Sequence, residues 1–178
     1  MYTPWTRDPW RENRGAVLIE FALTLILIVA LLVGVVSSAI AYNHQLGLTH
    51  SAREAGRYAA TLPLTNFGST QEWLDTIAAQ AVSDAGGSLA ASAPGRYVCV
   101  AYVFDPGGPN DLTVNRIDSG GSVSYGSAPC PSVTDGRPPT EHRIQVRVER
   151  DVDFNVIFFS STLRLGSQAI SRYEPGAP

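Results

Sequence analysis

Apolar residues are spread unevenly along this chain, and one block of them stands apart. From Phe21 to Ala41 run 21 residues without a formal charge, FALTLILIVALLVGVVSSAIA. A helix of about 20 apolar residues at ~1.5 Å rise crosses the ~30 Å hydrocarbon core of a bilayer. The block also lacks a polar face, which a core helix of this length would normally carry. The pattern predicts a membrane helix over residues 16–41. A secretory signal is the competing form. Arg7, Arg11 and Arg14 supply a basic start, and Ala39-Ile40-Ala41 imitates a small-x-small cleavage site. The apolar run exceeds the ~7–15 residues of such a signal, so a spanning anchor fits better.

No proline follows the block until Pro63. The helix is therefore expected to continue over residues 42–62, giving roughly 45 residues and a rod of ~65–70 Å. Ala52, Ala55, Gly56 and Ala59 recur at three- and four-residue spacing, which puts small side chains on one face. Such a face either admits the backbone of another chain or packs on its own domain. Both readings are open from the sequence.

Residues 63–178 carry the patterns of an α+β ectodomain. Ser69-Thr70-Gln71-Glu72 has the form of a capping box. Trp73, Leu74, Ile77, Ala78, Ala81, Val82 and Ala85 then mark an amphipathic helix, closed by Gly86-Gly87. Arg96–Phe104 is a β-favouring run between Pro94-Gly95 and Asp105-Pro106. Residues 143–152 alternate, with Ile144, Val146 and Val148 on one face and Arg143, Arg147 and Glu149 on the other. Leu163–Tyr173 is a weaker closing strand, and Asp111–Tyr125 supplies a weak hairpin about Gly120-Gly121. The expected unit is one helix on an antiparallel sheet of about three or four strands.

Composition sharpens this division. Only 16% of residues are charged, against about 25% in ordinary soluble domains. Residues 16–41 hold a single charge, Glu20, whereas residues 42–178 hold ten Arg against 13 acidic residues. The low charge is an anchor diluting a mildly acidic domain. A net charge of −3 with no Lys argues against a nucleic-acid partner. Three Arg precede the anchor and only Arg53 and Arg57 lie in the 20 residues after Ala41. By the positive-inside rule this puts residues 1–15 in the cytoplasm and the C-terminus outside it.

Glu20 is the informative charge. A carboxylate within a membrane segment costs ~2.5–3.5 kcal/mol at the helix centre and less near the interface. Here it opens the apolar run, five residues after Gly15. Cleavage after Gly15 would leave an ammonium on Ala16, and the Glu20 of one subunit could then neutralise the N-terminus of a neighbour. Gly15, the apolar residues Ala16 to Ile19, Glu20 and Phe21 together resemble a type IV prepilin processing motif, in the Glu-Phe form of Flp/Tad pilins. The stretch Ser51-Ala52-Arg53-Glu54-Ala55-Gly56-Arg57-Tyr58-Ala59-Ala60 is similar to the block beyond the membrane segment of TadE-like proteins. Met1 to Trp10, with Trp5 and Trp10, is an extension that many such leaders lack. The resemblance implies a membrane-anchored minor pilin or pseudopilin of the tight-adherence (Tad) pilus. It further implies cutting by a prepilin peptidase, and partners among other Tad pilins, the Tad assembly platform and membrane lipid. Inner-membrane residence, with incorporation into a surface pilus, follows from it. A single-pass surface binding module outside any filament is the alternative.

Cys99 and Cys130 are the only cysteines, and an extracytoplasmic domain permits them to pair. Their bridge would tie down a Gly/Pro/Ser-rich excursion, residues 105–141, as a partner-facing surface. His44, His50 and His142 have no Cys or carboxylate pair at ligand spacing. Asp105, Asn110 and Asp111 sit in turn-forming context rather than in a metal loop. No phosphate loop or nucleophile elbow is present. The expectation is a protein without metal, cofactor or catalytic residues.

Overall fold

The computed structural model describes residues 9–104, 112–117, 121–131, 133, 135–138, 141–156 and 159–174. Two helices and five strands follow in the order α1 (Pro9–Thr61), α2 (Thr70–Asp84), β1 (Tyr97–Val103), β2 (Leu112–Ile117), β3 (Val123–Gly126), β4 (Arg143–Val156) and β5 (Phe159–Arg172). The class is the expected α+β. The strands form one antiparallel sheet in the order β3-β2-β1-β4-β5. It has five strands rather than three or four, because the weak hairpin about Gly121 contributes both β2 and β3.

α1 is 53 residues long, about 80 Å of helix. It exceeds the predicted length because it starts at Pro9, where a fixed φ and a missing N–H suit a first helical turn. Pro63 ends it. The helix leads two lives. From Val17 to Ile40 its large apolar side chains are exposed, and none of its most apolar window, mean hydropathy 2.9, is buried. From Ala41 onward one face enters the core, with Leu48, Ala52, Ala55 and Ala59 fully buried.

α2 starts as predicted. Ser69 Oγ accepts from the Glu72 N–H at 3.2 Å. The return bond is displaced by one residue, since Glu72 Oε2 accepts from Gly68 N–H at 3.0 Å. The helix closes on Gly86 and Gly87, both at positive φ, which costs a glycine no Cβ clash. Trp73, Leu74, Ile77, Ala78 and Ala81 fill the core against Val98, Val100, Ile144, Val146 and Val148. At the upper end, Trp73 Nε1 donates to Leu62 O at 3.0 Å and Leu64 N–H donates to the Tyr173 hydroxyl at 2.9 Å. These bonds fasten the end of α1 to the sheet.

The alternation in β4 correctly identified its core face, and its polar face proved not to be solvent-exposed. Arg143, Gln145 and Glu149 are buried as well. A second small cluster of Cys99, Ala101, Val103 and Cys130 lies on that side. The Cys99–Cys130 disulfide is formed and draws the following segment across the sheet. Asp135 holds that segment down. It pairs with Arg143, accepts from Gln145 Nε2 at 2.6 Å, and accepts from Arg137 N–H at 3.1 Å. Burial raises the Asp135 carboxyl, but these hydrogen bonds and the Arg143 charge together bring it below the usual carboxylate range.

The disulfide closes a loop across a sequence separation of 31 residues. Replacing Cys99 and Cys130 by Ser is expected to lower unfolding stability by about 3–4 kcal/mol on the chain-entropy model. Chemical denaturation of the detergent-solubilised protein measures this. An unchanged midpoint would show that the Asp135 network alone holds the segment.

Candidate functional site

Two sets of residues were singled out on α1, and the helix separates them. Gly15, Ala16, Glu20 and Phe21 occupy its exposed first half. A Cβ built on Gly15 would meet nothing within 4 Å, so among the described residues nothing packs against the Gly15 position. Among the described residues the Glu20 carboxylate meets no partner; the Glu20 carbonyl accepts from Thr24 Oγ1 at 2.8 Å. Phe21 is 64% exposed. From Phe21 to Ala52 is 31 residues, about 46 Å of helix. The arrangement therefore presents Gly15 and the Glu20 carboxylate on exposed helix, well away from the small-residue joint.

The second set, Ala52, Ala55, Gly56 and Ala59, forms the joint between rod and domain. Its small side chains are used by the chain's own fold, the second of the two uses the spacing allowed. Gly56 lies so close to β5 that a Cβ there would sit 2.9 Å from Ser171 Oγ and 3.3 Å from Ala169 Cβ. Sequence reasoning stopped one turn short. Gly47 and Ser51 continue the four-residue series through Ala55 to Ala59, and both contact the far end of α2. A Cβ on Gly47 would meet Ser88 Oγ at 2.8 Å and Ala85 O at 3.1 Å. Ser51 Oγ donates to Ala81 O at 2.5 Å, satisfying a hydroxyl that is fully buried. The signal was present as a longer small-residue period; the contacts it serves were not.

A polar latch at the mouth of this joint had no sequence signal, because its members are 44 and 106 residues apart. Arg150 donates to Ser88 O at 2.9 Å and to His44 Nδ1 at 3.1 Å. Ser88 Oγ lies 3.1 Å from the same ring nitrogen. Desolvation, then the Arg150 charge, lower the His44 pKa below its ordinary 6.5. A neutral imidazole is what an accepting Nδ1 requires. His50 is exposed on α1, and His142 stacks on Phe104 with ring centroids 3.4 Å apart. No group of three His, Cys, Asp or Glu able to hold a metal exists among the described residues. Asp105, Asn110 and Asp111 lie outside them, as does much of the 105–141 excursion.

Two outcomes follow from the joint. Gly56→Leu is expected to destabilise the folded domain by about 1–3 kcal/mol through overpacking, while Gly34→Leu, with open space around it, leaves thermal unfolding unchanged. The latch predicts a pH dependence with a definite sign. Because the folded pKa of His44 is lowered, the unfolded chain binds the proton first, and stability falls as pH drops below about 6.5. His44→Gln, which keeps an acceptor without titrating, should remove that part of the decline in melting temperature between neutral and mildly acidic buffer.

No curated protein and no solved structure matches this chain. A family model does match one part of it, and that part holds Gly15, Ala16, Glu20 and Phe21, the helix that follows, and Ala52, Ala55 and Gly56 of the joint, ending before Ala59. Over residues 15–57, from the Gly15 position into the small-residue joint, the chain is similar to TadE-like proteins.

Proposed function

We propose that this protein is a minor pilin or pseudopilin of the Tad pilus, cut after Gly15 by a prepilin peptidase and anchored by the helix from Ala16. The observation that carries the reading is the position of Gly15 and Glu20-Phe21. They open an exposed apolar helix whose other half is packed into an ectodomain, within the segment matched by the TadE-like family. Glycine suits a scissile position because a peptidase there meets backbone without a side chain. In the proposed reaction this protein is the substrate, and water adds across the Gly15–Ala16 amide. Gly15 leaves as a carboxylate with the leader, and Ala16 becomes the new ammonium terminus. We assign the protein no catalytic residue of its own.

After cleavage, Glu20 is the fifth residue of the mature helix. A carboxylate is favoured near a helix N-terminus by the macrodipole. In the assembled state, the Glu20 of one subunit would pair with the Ala16 ammonium of a neighbour and set their register. The three leader Arg favour a cytoplasmic N-terminus, which leaves the disulfide-bearing domain in an oxidising compartment. The partners on this reading are the prepilin peptidase, other Tad pilins or pseudopilins, the assembly platform and membrane lipid.

Intact mass and N-terminal sequencing of the mature protein test the processing. The expected first residue is Ala16; a chain beginning at Met1 or at Tyr42 would sink the reading and return it to a plain anchored module or a secreted one. Glu20→Val should leave membrane insertion intact and abolish pilus assembly, scored by surface filaments and by co-purification of other pilins. Normal assembly in that variant would remove the register role of Glu20.

A further inference from the structure

The β4–β5 ribbon runs well past the rest of the sheet. β1 pairs with β4 only as far as Glu149, whereas β4 and β5 go on pairing to Val156↔Phe159. The rungs from Arg150↔Leu165 to Val156↔Phe159 thus have no third strand, over about 20 Å at ~3.3 Å per residue. A two-stranded ribbon by itself is marginal in water. The far end of this one is also apolar. Phe154 to Leu163 carry no formal charge, and Phe159 and Leu163 are 63% and 50% exposed.

The ribbon points toward the exposed half of α1. Gln45 Nε2 donates to Gly166 O at 3.0 Å, and Gly56 adjoins Ala169 and Ser171, so β5 and α1 run in the same direction. From Gly166 back to Phe159 is seven residues, about 23 Å of strand. The same distance along α1 is about 15 residues, which sets the ribbon end level with about residue 30. Consistent with this, Phe154 lines an apolar cleft of about 660 Å³ with Leu27, Leu31 and Val35.

We infer that the end of the β4–β5 ribbon is a second membrane contact, seating Phe154 and Phe159 in the outer-leaflet lipid beside α1, with Leu163 above them at the level of the headgroups. The inference rests on the reading of α1 as a bilayer anchor. With Ala16 at the inner boundary, a ~30 Å hydrocarbon core ends near residue 36. The ribbon end then lies about six helical residues, ~9 Å, below that boundary. Interfacial amphipathic elements bury their apolar face by about 5–10 Å. Lipid is the occupant favoured over another chain because the ribbon end is continuous with the exposed apolar surface of α1, which lipid already surrounds.

Two features limit the depth. Beyond Asp151, whose N–H donates to Pro94 O at 2.8 Å, the ribbon edges have no further strand among the described residues to pair their N–H and C=O groups, which hydrocarbon cannot solvate. Polar pairs also mark the level of the headgroups. Thr162 Oγ1 donates to Asp153 at 2.9 Å, about 10 Å above the end, and Arg164 pairs with Asp151 at 3.0 Å, about 17 Å above it. The Arg164 side chain is exposed and long enough to keep its cation among headgroups.

Site-specific fluorescence tests the contact on the full chain in phosphatidylcholine–phosphatidylglycerol vesicles. Phe159→Cys, and separately Ser160→Cys, which keeps Phe159, are labelled with nitrobenzoxadiazole under non-reducing conditions that keep the native disulfide closed. Both labels should emit to the blue of the same label at Val123→Cys on the opposite sheet edge. They should also be quenched more by lipids carrying a doxyl group near the headgroup than by lipids carrying it near the chain end. Leu25→Cys reports on the anchor alone. Water-like emission at 159 and 160 with a quenched label at 25 overturns the ribbon contact and leaves the anchor standing. Unquenched labels at all three positions overturn both. Blue-shifted but lipid-unquenched emission at 159 places that surface against another chain and overturns the lipid assignment.

Discussion

The close approach of α1 to α2 and β5 is the constraint on which the rest of the molecule depends. Helix backbones approach this closely only where side chains are absent or small, and α1 supplies Gly47, Ser51, Ala52, Ala55, Gly56 and Ala59 there. The result joins a bare apolar rod to a folded domain along one helix without a hinge. Whatever force the membrane half experiences is delivered to the sheet through packed contacts. Trp73, Tyr102 and Tyr173 reinforce the upper end of that joint, with the Trp73–Tyr173 ring centroids 5.2 Å apart.

The opposite face of the sheet is organised differently. The segment that follows Cys130 sits on the small cluster of Cys99, Ala101, Val103 and Cys130, and covalent and polar contacts add to its hold. The disulfide, the Asp135–Arg143 pair and the Gln145 amide tie three chain segments together. Buried ion pairs contribute little net stability unless fully hydrogen-bonded, but leaving one partner alone is strongly destabilising. This face is therefore sensitive to the loss of any one member. It lies on the side of the sheet away from α1.

The exposed half of α1 and the β4–β5 ribbon share one problem, which is apolar surface that the chain itself does not cover. For α1 the solution is a bilayer, and in an assembled filament it would be neighbouring helices. A single charge in that surface, Glu20, changes what the helix can do, because a carboxylate in an apolar setting needs a cation. Peptide cleavage after Gly15 would create one four residues away in sequence, and packing of neighbouring helices would bring a second subunit's within reach.

Much of this was written locally. The uncharged run from Phe21 to Ala41, the cap at Ser69, the Gly86-Gly87 stop and the alternation through Ile144, Val146 and Val148 each have a short-range physical cause, so the elements could be read directly. The spacing of Gly15, Glu20 and Phe21 is likewise local, since all three lie on one continuous helix. The sequence could not say which partner the small face of α1 would meet, because a small-residue stripe suits any close backbone. Tertiary packing decided that it meets α2 and β5. Nor could alternation show that the polar side of β4 would be covered, because that depends on where a disulfide draws a segment distant in the chain. The latch of His44, Ser88 and Arg150 and the descent of the β4–β5 ribbon beside α1 likewise exist only once the helix and the last hairpin are set in register.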